Sequence, residues 1–373
     1  MNKIRTVIAA AALVLLPMSA VADPVKVGLM CPLTGGWASE GHDMRQILTL
    51  LVEEANKTGG VNGNAITLVI EDDGGDPRTA ALAAQKLATS GVLGVIGTYG
   101  SAVTEASQSI LDEAEILQIA TGSTSVRLTE KGMQYFFRTC PRDDEQGLIA
   151  AKYLQELGFT KIAIVHDNSS YAKGLADEAK ALLDKAEGLS IVFFDALTPK
   201  ERDYSPILTK LRSAGPDVIF FTGYYPEAGL LLRQKAEMGW DVPMMGGDAV
   251  NNPDLVMIAG TQAANGFMFI SPAVPGDLST LQGKAFLEAY QAKYNAMPQS
   301  VWAVLAGDAF NVLLEALKNA KHDAASMSAY LKTGLEDYSG ITGTFSFNEK
   351  GDRIGALYQL YQVTADGKFQ VKP

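Results

Sequence analysis

Past residue 22 the chain alternates short apolar, β-branched runs with amphipathic stretches of helical spacing. Val25–Met30 is the first apolar run, and Pro32 and the Gly35-Gly36 pair end it. In Asp43–Lys57, Ile47, Leu48, Leu51, Val52 and Ala55 share one face while Glu53, Glu54 and Lys57 lie outside it, the mark of a half-buried helix. The cycle repeats with a strand at Ile66–Ile70, a helix at Pro77–Ser90 that opens on a first-turn proline, a strand at Leu93–Ile96, a helix at Ala102–Ala114 and a strand at Ile116–Ala120. Strands separated by helices of this length predict βαβ units, hence a parallel sheet with helices on both faces. A second series follows Arg138-Thr139-Cys140-Pro141. Its strands are expected at Ile162–Val165, Ile191–Phe194, Val218–Phe221 and Met244–Met245, and its helices at Asp143–Leu157, Tyr171–Ala186, Tyr204–Ser213 and Glu227–Met238. The fold class is therefore α/β, with two doubly wound, Rossmann-like modules. Beyond Phe267–Ile270 the pattern gives two long helices, Thr280–Tyr294 and Trp302–Ala320, then antiparallel strands at Gly343–Phe347 and Ala356–Val363. No proline- or serine-rich linker divides the modules, so short crossings forming a hinge are expected.

The first 22 residues follow a different rule. Lys3 and Arg5 precede an apolar run from Val7 to Leu16, and Ala20-Val21-Ala22 closes the segment. A basic start, a short apolar core and an A-x-A end predict a cleaved secretory signal peptide over 1–22. The run ends at Pro17, short of the ~20 residues a membrane-spanning helix needs. Cys31 lies too far beyond it to be a lipidated first residue. An exported, periplasmic protein is expected.

Composition narrows the function. At 373 residues with 47% apolar content, the chain has room for about two packed domains and is not a disordered one. A net charge of −11 disfavours phosphate backbones, so nucleic acid is not an expected partner. Two cysteines and three scattered histidines predict neither a disulfide scaffold nor a metal centre. G-x-S-x-G, the P-loop, H-E-x-x-H and C-x-x-C are all absent, and no cofactor or enzymatic activity is expected.

In open α/β sheets ligands bind beyond the carboxyl ends of the strands, so the loops there carry the chemistry. Gly97-Thr98-Tyr99-Gly100-Ser101 follows one strand and Ala120-Thr121-Gly122-Ser123-Thr124-Ser125 the next. Both are rich in glycine and hydroxyls, suited either to a carboxylate held by N–H and O–H donors or to ordinary helix capping. In the second module the corresponding loops are Val165-His166-Asp167-Asn168-Ser169-Ser170-Tyr171, Phe221-Thr222-Gly223-Tyr224-Tyr225-Pro226-Glu227 and Gly246-Gly247-Asp248. Asp248 is placed either to pair with an ammonium or to cap a helix near Pro253, and the tyrosines either to wall a ligand or to pack. One module suited to a carboxylate and the other to an ammonium point together to an amino acid.

These stretches, in their order, resemble the periplasmic substrate-binding proteins of branched-chain amino acid ABC transporters. The resemblance covers the whole chain after the leader. It is carried by Pro32-Leu33-Thr34-Gly35, Gly59-Gly60-Val61-Asn62-Gly63, Asp72-Asp73 with Asp76-Pro77, Phe137-Arg138-Thr139, Ile164-Val165-His166-Asp167, Gly223-Tyr224-Tyr225-Pro226-Glu227 and Phe347-Asn348-Glu349-Lys350-Gly351-Asp352. It implies the type I periplasmic-binding fold, with lobe one at 23–141 plus 272–347, lobe two at 142–271 plus 348–373, and three crossings near Cys140, Ser271 and Asn348. It further implies that Ser101 and Thr124 hold the ligand carboxylate with backbone from Gly122 and Ser123. Tyr171 and Tyr224 would line the second lobe, and Asp248 would pair with the α-ammonium. Where the family often has an aromatic this chain reads Glu40, while Trp37 supplies the aromatic in that loop. The cysteine pair that some family members carry between the positions of Gly75 and Gly100 is missing here, and Cys31 and Cys140 need not be bonded. The resemblance thus implies a monomeric receptor that delivers an aliphatic amino acid to an ABC permease. A receptor for another small carboxylate, such as an aromatic acid, or an amide-type sensory receptor of the same fold, stays open at this point.

Overall fold

A computed structural model describes residues 23–355 and 357–372; the expected leader, 1–22, lies outside the described residues. The first sheet is built from β1 (Val25–Cys31), β2 (Ile66–Asp72), β3 (Gly94–Ile96), β4 (Leu117–Ala120) and β5 (Phe136–Arg138), in the order β2-β1-β3-β4-β5 and parallel throughout. The second holds β6 (Lys161–His166), β7 (Ser190–Ala196), β8 (Val218–Phe221), β9 (Met244–Gly246) and β10 (Met268–Ser271). A small sheet joins β11 (Tyr338–Ser339), β12 (Thr344–Phe347) and β13 (Arg353–Ile354), and β14 (Gln359–Val363) and β15 (Phe369–Val371) end the chain.

The second sheet runs β15-β14-β10-β9-β8-β6-β7. Without its two antiparallel additions it repeats the winding of the first. In each, the strand order reverses beside the first strand, at β1/β3 and at β6/β8. Such a reversal opens a crevice at the carboxyl ends of the strands, because the loops there depart to opposite faces. The reading of two doubly wound α/β modules therefore holds.

The alternation was legible because parallel strands covered on both faces read as near-continuous apolar runs. Val27, Leu29, Met30 and Cys31 of β1 are all fully buried. Cys140 is buried as well, and both cysteines are free. The two long C-terminal helices form at Leu281–Tyr294 and Val301–Asn319. The latter is buried almost all round, from Val301 to Leu317, and packs against both the helix Ala38–Lys57 and the first sheet. Gly94 of β3 makes room for it: a Cβ there would lie 2.8 Å from Leu313. The predicted antiparallel strands appear as β12 and β14, in different sheets. β5 was not anticipated, since it is three residues long and includes a buried arginine.

The chain leaves the first sheet after β5, returns to it after β10, and leaves again between β13 and β14. Arg138, at the end of β5, and Asp352, just before β13, form a fully buried ion pair at 2.6 Å, with Arg142 on the other carboxylate oxygen at 2.9 Å. Two of the passages between sheets are thereby clamped side by side.

Candidate ligand-binding cleft

The loop after β4 is shaped by what its carbonyls do. Arg138 donates to the carbonyls of Ser123 (3.1 Å) and Ser125 (2.8 Å), and the N–H of Asp143 donates to that of Thr124 (2.9 Å). With these carbonyls drawn toward β5 and the helix Asp143–Glu156, the Thr124 N–H has no protein acceptor among the described residues. Ser101 opens the helix Ser101–Glu113, and its Oγ accepts from the Ser125 N–H at 3.1 Å, which locks the two hydroxyl-bearing loops together while leaving the Ser101 O–H proton to donate elsewhere. The Ser123 hydroxyl, by contrast, is engaged inward with Thr104 (2.7 Å) and the Thr98 carbonyl (3.3 Å). Gly122 lies against Tyr99: a Cβ would approach its ring to 2.5 Å, so no larger residue fits without displacing the ring.

From the second sheet, Asp248 starts a short 3-10 turn (Asp248–Val250) directly after β9. It does not cap the helix Asp254–Ala259, whose first N–H bonds Asn252 instead. Asp248 is buried; its Oδ2 accepts from the Tyr358 hydroxyl at 2.8 Å, yet burial outweighs that bond and lifts the carboxyl to about 7. Tyr171 and Tyr224 pack ring to ring at 5.2 Å, and the Tyr171 hydroxyl accepts from the Ala249 N–H at 3.3 Å.

The two sheets meet across these groups. Tyr99 donates to the Ala249 carbonyl at 3.5 Å, and Trp37 packs on Tyr224 with ring centroids 4.3 Å apart. Trp37 precedes the helix Ala38–Lys57 and rests on two glycines, Gly75 and Gly100, both at positive φ; a Cβ on either would come within 3.0 Å of its ring. A cavity of about 890 Å³ opens on the outer side of the Trp37–Tyr224 pair, along Gly75, Ala102, Asn168, Lys200 and Glu227. Asp248, Ser101 and Thr124 do not line it.

Glu40 is fully buried and engaged on both oxygens: Asn252 donates to Oε1 at 2.8 Å from the other sheet's side, and Ser300 donates to Oε2. Burial raises it to about 8. Its place is a latch between the lobes, with each oxygen already held by a protein donor.

Of the nine residues expected at the site, Trp37, Glu40, Tyr171, Tyr224 and Asp248 stand at or beside contacts between the lobes. Thr124 joins them through its carbonyl to Asp143 and Ser101 through Ser125, while Gly122 packs on Tyr99 and the Ser123 hydroxyl turns inward. Sequence reasoning missed Tyr358, Trp302, Asn252 and Asp143. Trp302 packs near Tyr99 at 6.4 Å and keeps a buried, unpartnered Nε1–H. Asp143 is buried, with neither carboxylate oxygen at hydrogen-bond distance from a partner among the described residues. The one advance signal for Asp143 was the triple acid Asp143-Asp144-Glu145 at a helix start, more negative charge than a helix dipole calls for.

Two lobes of one winding, closed over a buried polar seam with aromatic walls, define a clamshell solute-binding architecture. The chain belongs to the periplasmic binding protein family, whose sequence model matches residues 24–368. It is 35% identical to the Leu/Ile/Val-binding protein BraC3 of Rhizobium johnstonii, over 91% of this chain and 92% of that one. It is 33% identical to the leucine-, isoleucine-, valine-, threonine- and alanine-binding protein of Pseudomonas aeruginosa, over 93% of this chain and 92% of that one. Among solved structures it is similar to the branched-chain amino acid transporter substrate-binding protein LivJ of Streptococcus pneumoniae in complex with isoleucine. The TM-score is 0.84 at 32% identity, covering 94% of this chain and 99% of that one.

Proposed function

We propose that this protein is an extracytoplasmic receptor that captures an aliphatic, branched-chain-type amino acid between its lobes and delivers it to an ABC permease. The observation that carries this reading is the polarity of the seam. Donors on the first lobe (the Ser101 and Thr124 hydroxyls and the Thr124 N–H) suit a carboxylate. The buried Asp248 on the second lobe suits an ammonium. A zwitterionic α-amino acid matches both at once, and Tyr171, Tyr224, Trp37 and Trp302 offer its side chain apolar surface. The names of the relatives, and the isoleucine held by the solved neighbour, support the branched-chain class.

The mechanism is a population shift. Contacts to both lobes exist together only in the closed state, so a ligand spanning them stabilises that state by its differential affinity. Release then requires only that the lobes part, which separates the two ends of the ligand's binding set. No bond is made or broken in this cycle. The chain is exported on the leader 1–22 and works as a monomer, without cofactor, metal or nucleic acid.

A thermal-shift screen of ligand-stripped protein against the twenty amino acids and a panel of aromatic and aliphatic carboxylates tests the assignment, since a ligand selective for the folded state raises Tm by mass action. Leucine, isoleucine and valine are expected to raise Tm. A rise with amine-free carboxylates alone would replace the amino acid by another class of ligand.

A further inference from the structure

Asp143 is the group the account so far leaves unused. It is fully buried, neither carboxylate oxygen has a partner at hydrogen-bond distance among the described residues, and it stands at the first position of the helix Asp143–Glu156, where its own N–H bonds the Thr124 carbonyl across the seam. One turn along the same face, Gln146 donates to the Tyr358 hydroxyl at 3.1 Å, and Tyr358 donates to Asp248 at 2.8 Å. The Gln146 Oε1 is likewise buried and unpartnered. The helix that carries Asp143 is thereby tied to Asp248, from Gln146 through Tyr358, and the unmet acceptors of Asp143 and Gln146 lie one turn apart on its face.

We propose that Asp143 is a second ligand-contacting acid, which with Asp248 clasps the ligand's ammonium, and that binding of the cation expels a proton from this carboxyl pair to solvent. The inference rests on the amino-acid reading above. Two buried carboxyl groups that feel each other's charge resist ionising together, and without a cation the pair retains a proton. Burial, reinforced by Asp248, raises Asp143 well above the ordinary carboxylate range. The charged groups facing it are few. The nearby Thr124 hydroxyl and Arg138 favour its ionised form and Asp144 opposes it, and Arg138 is itself committed to Asp352. The other titratable neighbours, the phenols of Tyr171, Tyr224 and Tyr358 and the thiol of Cys140, are all buried and raised, so they stay neutral across the physiological range. An ammonium supplies both a positive charge and N–H donors for the empty oxygens. The proton it displaces passes to the buffer.

The test is calorimetric titration of ligand-stripped protein with leucine from pH 5.5 to 7.5, in buffers of different ionisation enthalpy so that proton release is read directly. For the wild type, release of a fraction of a proton per leucine is expected, with Kd tightening as pH rises by up to about tenfold per unit. Asp143→Asn is expected to weaken leucine binding tenfold or more and to diminish the proton release. Equal affinity, or equal proton release, in the two proteins would overturn the proposal. Should Asp143→Asn not fold, a wild-type Kd that is flat over this range with no proton released overturns it as well. A wild type that binds no amino acid at any pH defeats the amino-acid reading itself, a different outcome from tight binding without protons.

Discussion

At the residue scale the protein depends on carboxyl groups held where water cannot reach them. Asp248 in a closed seam is tolerable as an anion only with a cation against it. Asp248→Asn is therefore expected to cost leucine binding about 2–5 kcal/mol, roughly 30-fold or more in Kd, measured by titration calorimetry. Glu40 carries a second consequence. Burial lifts its carboxyl to about 8, while the same group in the unfolded chain titrates near 4.5. Between those values the folded protein holds a proton that the unfolded chain has lost, so this group's contribution to stability falls as pH rises from about 4.5 to about 8. Asp73 and Asp248, each raised by burial to about 7, act in the same direction. Glu40→Gln is expected to flatten the decline of apo-protein Tm over pH 5 to 9. A slope identical to wild type would remove Glu40 from the account.

At the scale of elements, the strands announced themselves and the tertiary pairings did not. Runs such as Val25–Met30 and Val218–Phe221 are apolar because helices cover both faces of their sheets, and that pressure is written locally. The same holds for the loops after β3, β4 and β9, whose hydroxyls and acid stand directly at strand ends. Arg138 and Asp352 are 214 positions apart, and Tyr358 reaches Asp248 across 110; no local spacing encodes either contact. Glu40 was legible as a residue of the right loop but not as a latch, because Asn252 and Ser300 come from distant elements. The clamp between passages yields a prediction at this scale. Burial by itself raises Asp352, but Arg138 and Arg142 hold it below the ordinary carboxylate range. Asp352→Asn leaves Arg138 buried without its anion and is expected to cost about 3–5 kcal/mol in urea unfolding. The Trp37 seat is equally specific. Gly100→Ala sets a methyl 2.9 Å from the indole at a φ of +94°, and should displace Trp37 and speed ligand escape, read as a faster koff.

For the whole molecule, the proposed function has two lobes of equal winding divide a ligand's two charges between them. In that proposal the first lobe supplies the donors for the carboxylate and the second the acid for the ammonium, and this division makes closure and capture one event. Trp37 on Tyr224, Tyr99 on Ala249 and Glu40 on Asn252 are contacts between lobes that parting must break. The most direct measurement of this claim is a calorimetric comparison of leucine with 4-methylpentanoate, which lacks the amine, and 3-methylbutylamine, which lacks the carboxylate, on ligand-stripped wild-type protein at pH 7.5. Leucine alone should bind tightly, with each analogue weaker by roughly thirtyfold or more, since losing either charge leaves one lobe's polar groups buried and unpaired, at about 2–5 kcal/mol. An analogue that binds as tightly as leucine would contradict the account, because one lobe would then be holding the ligand without the other.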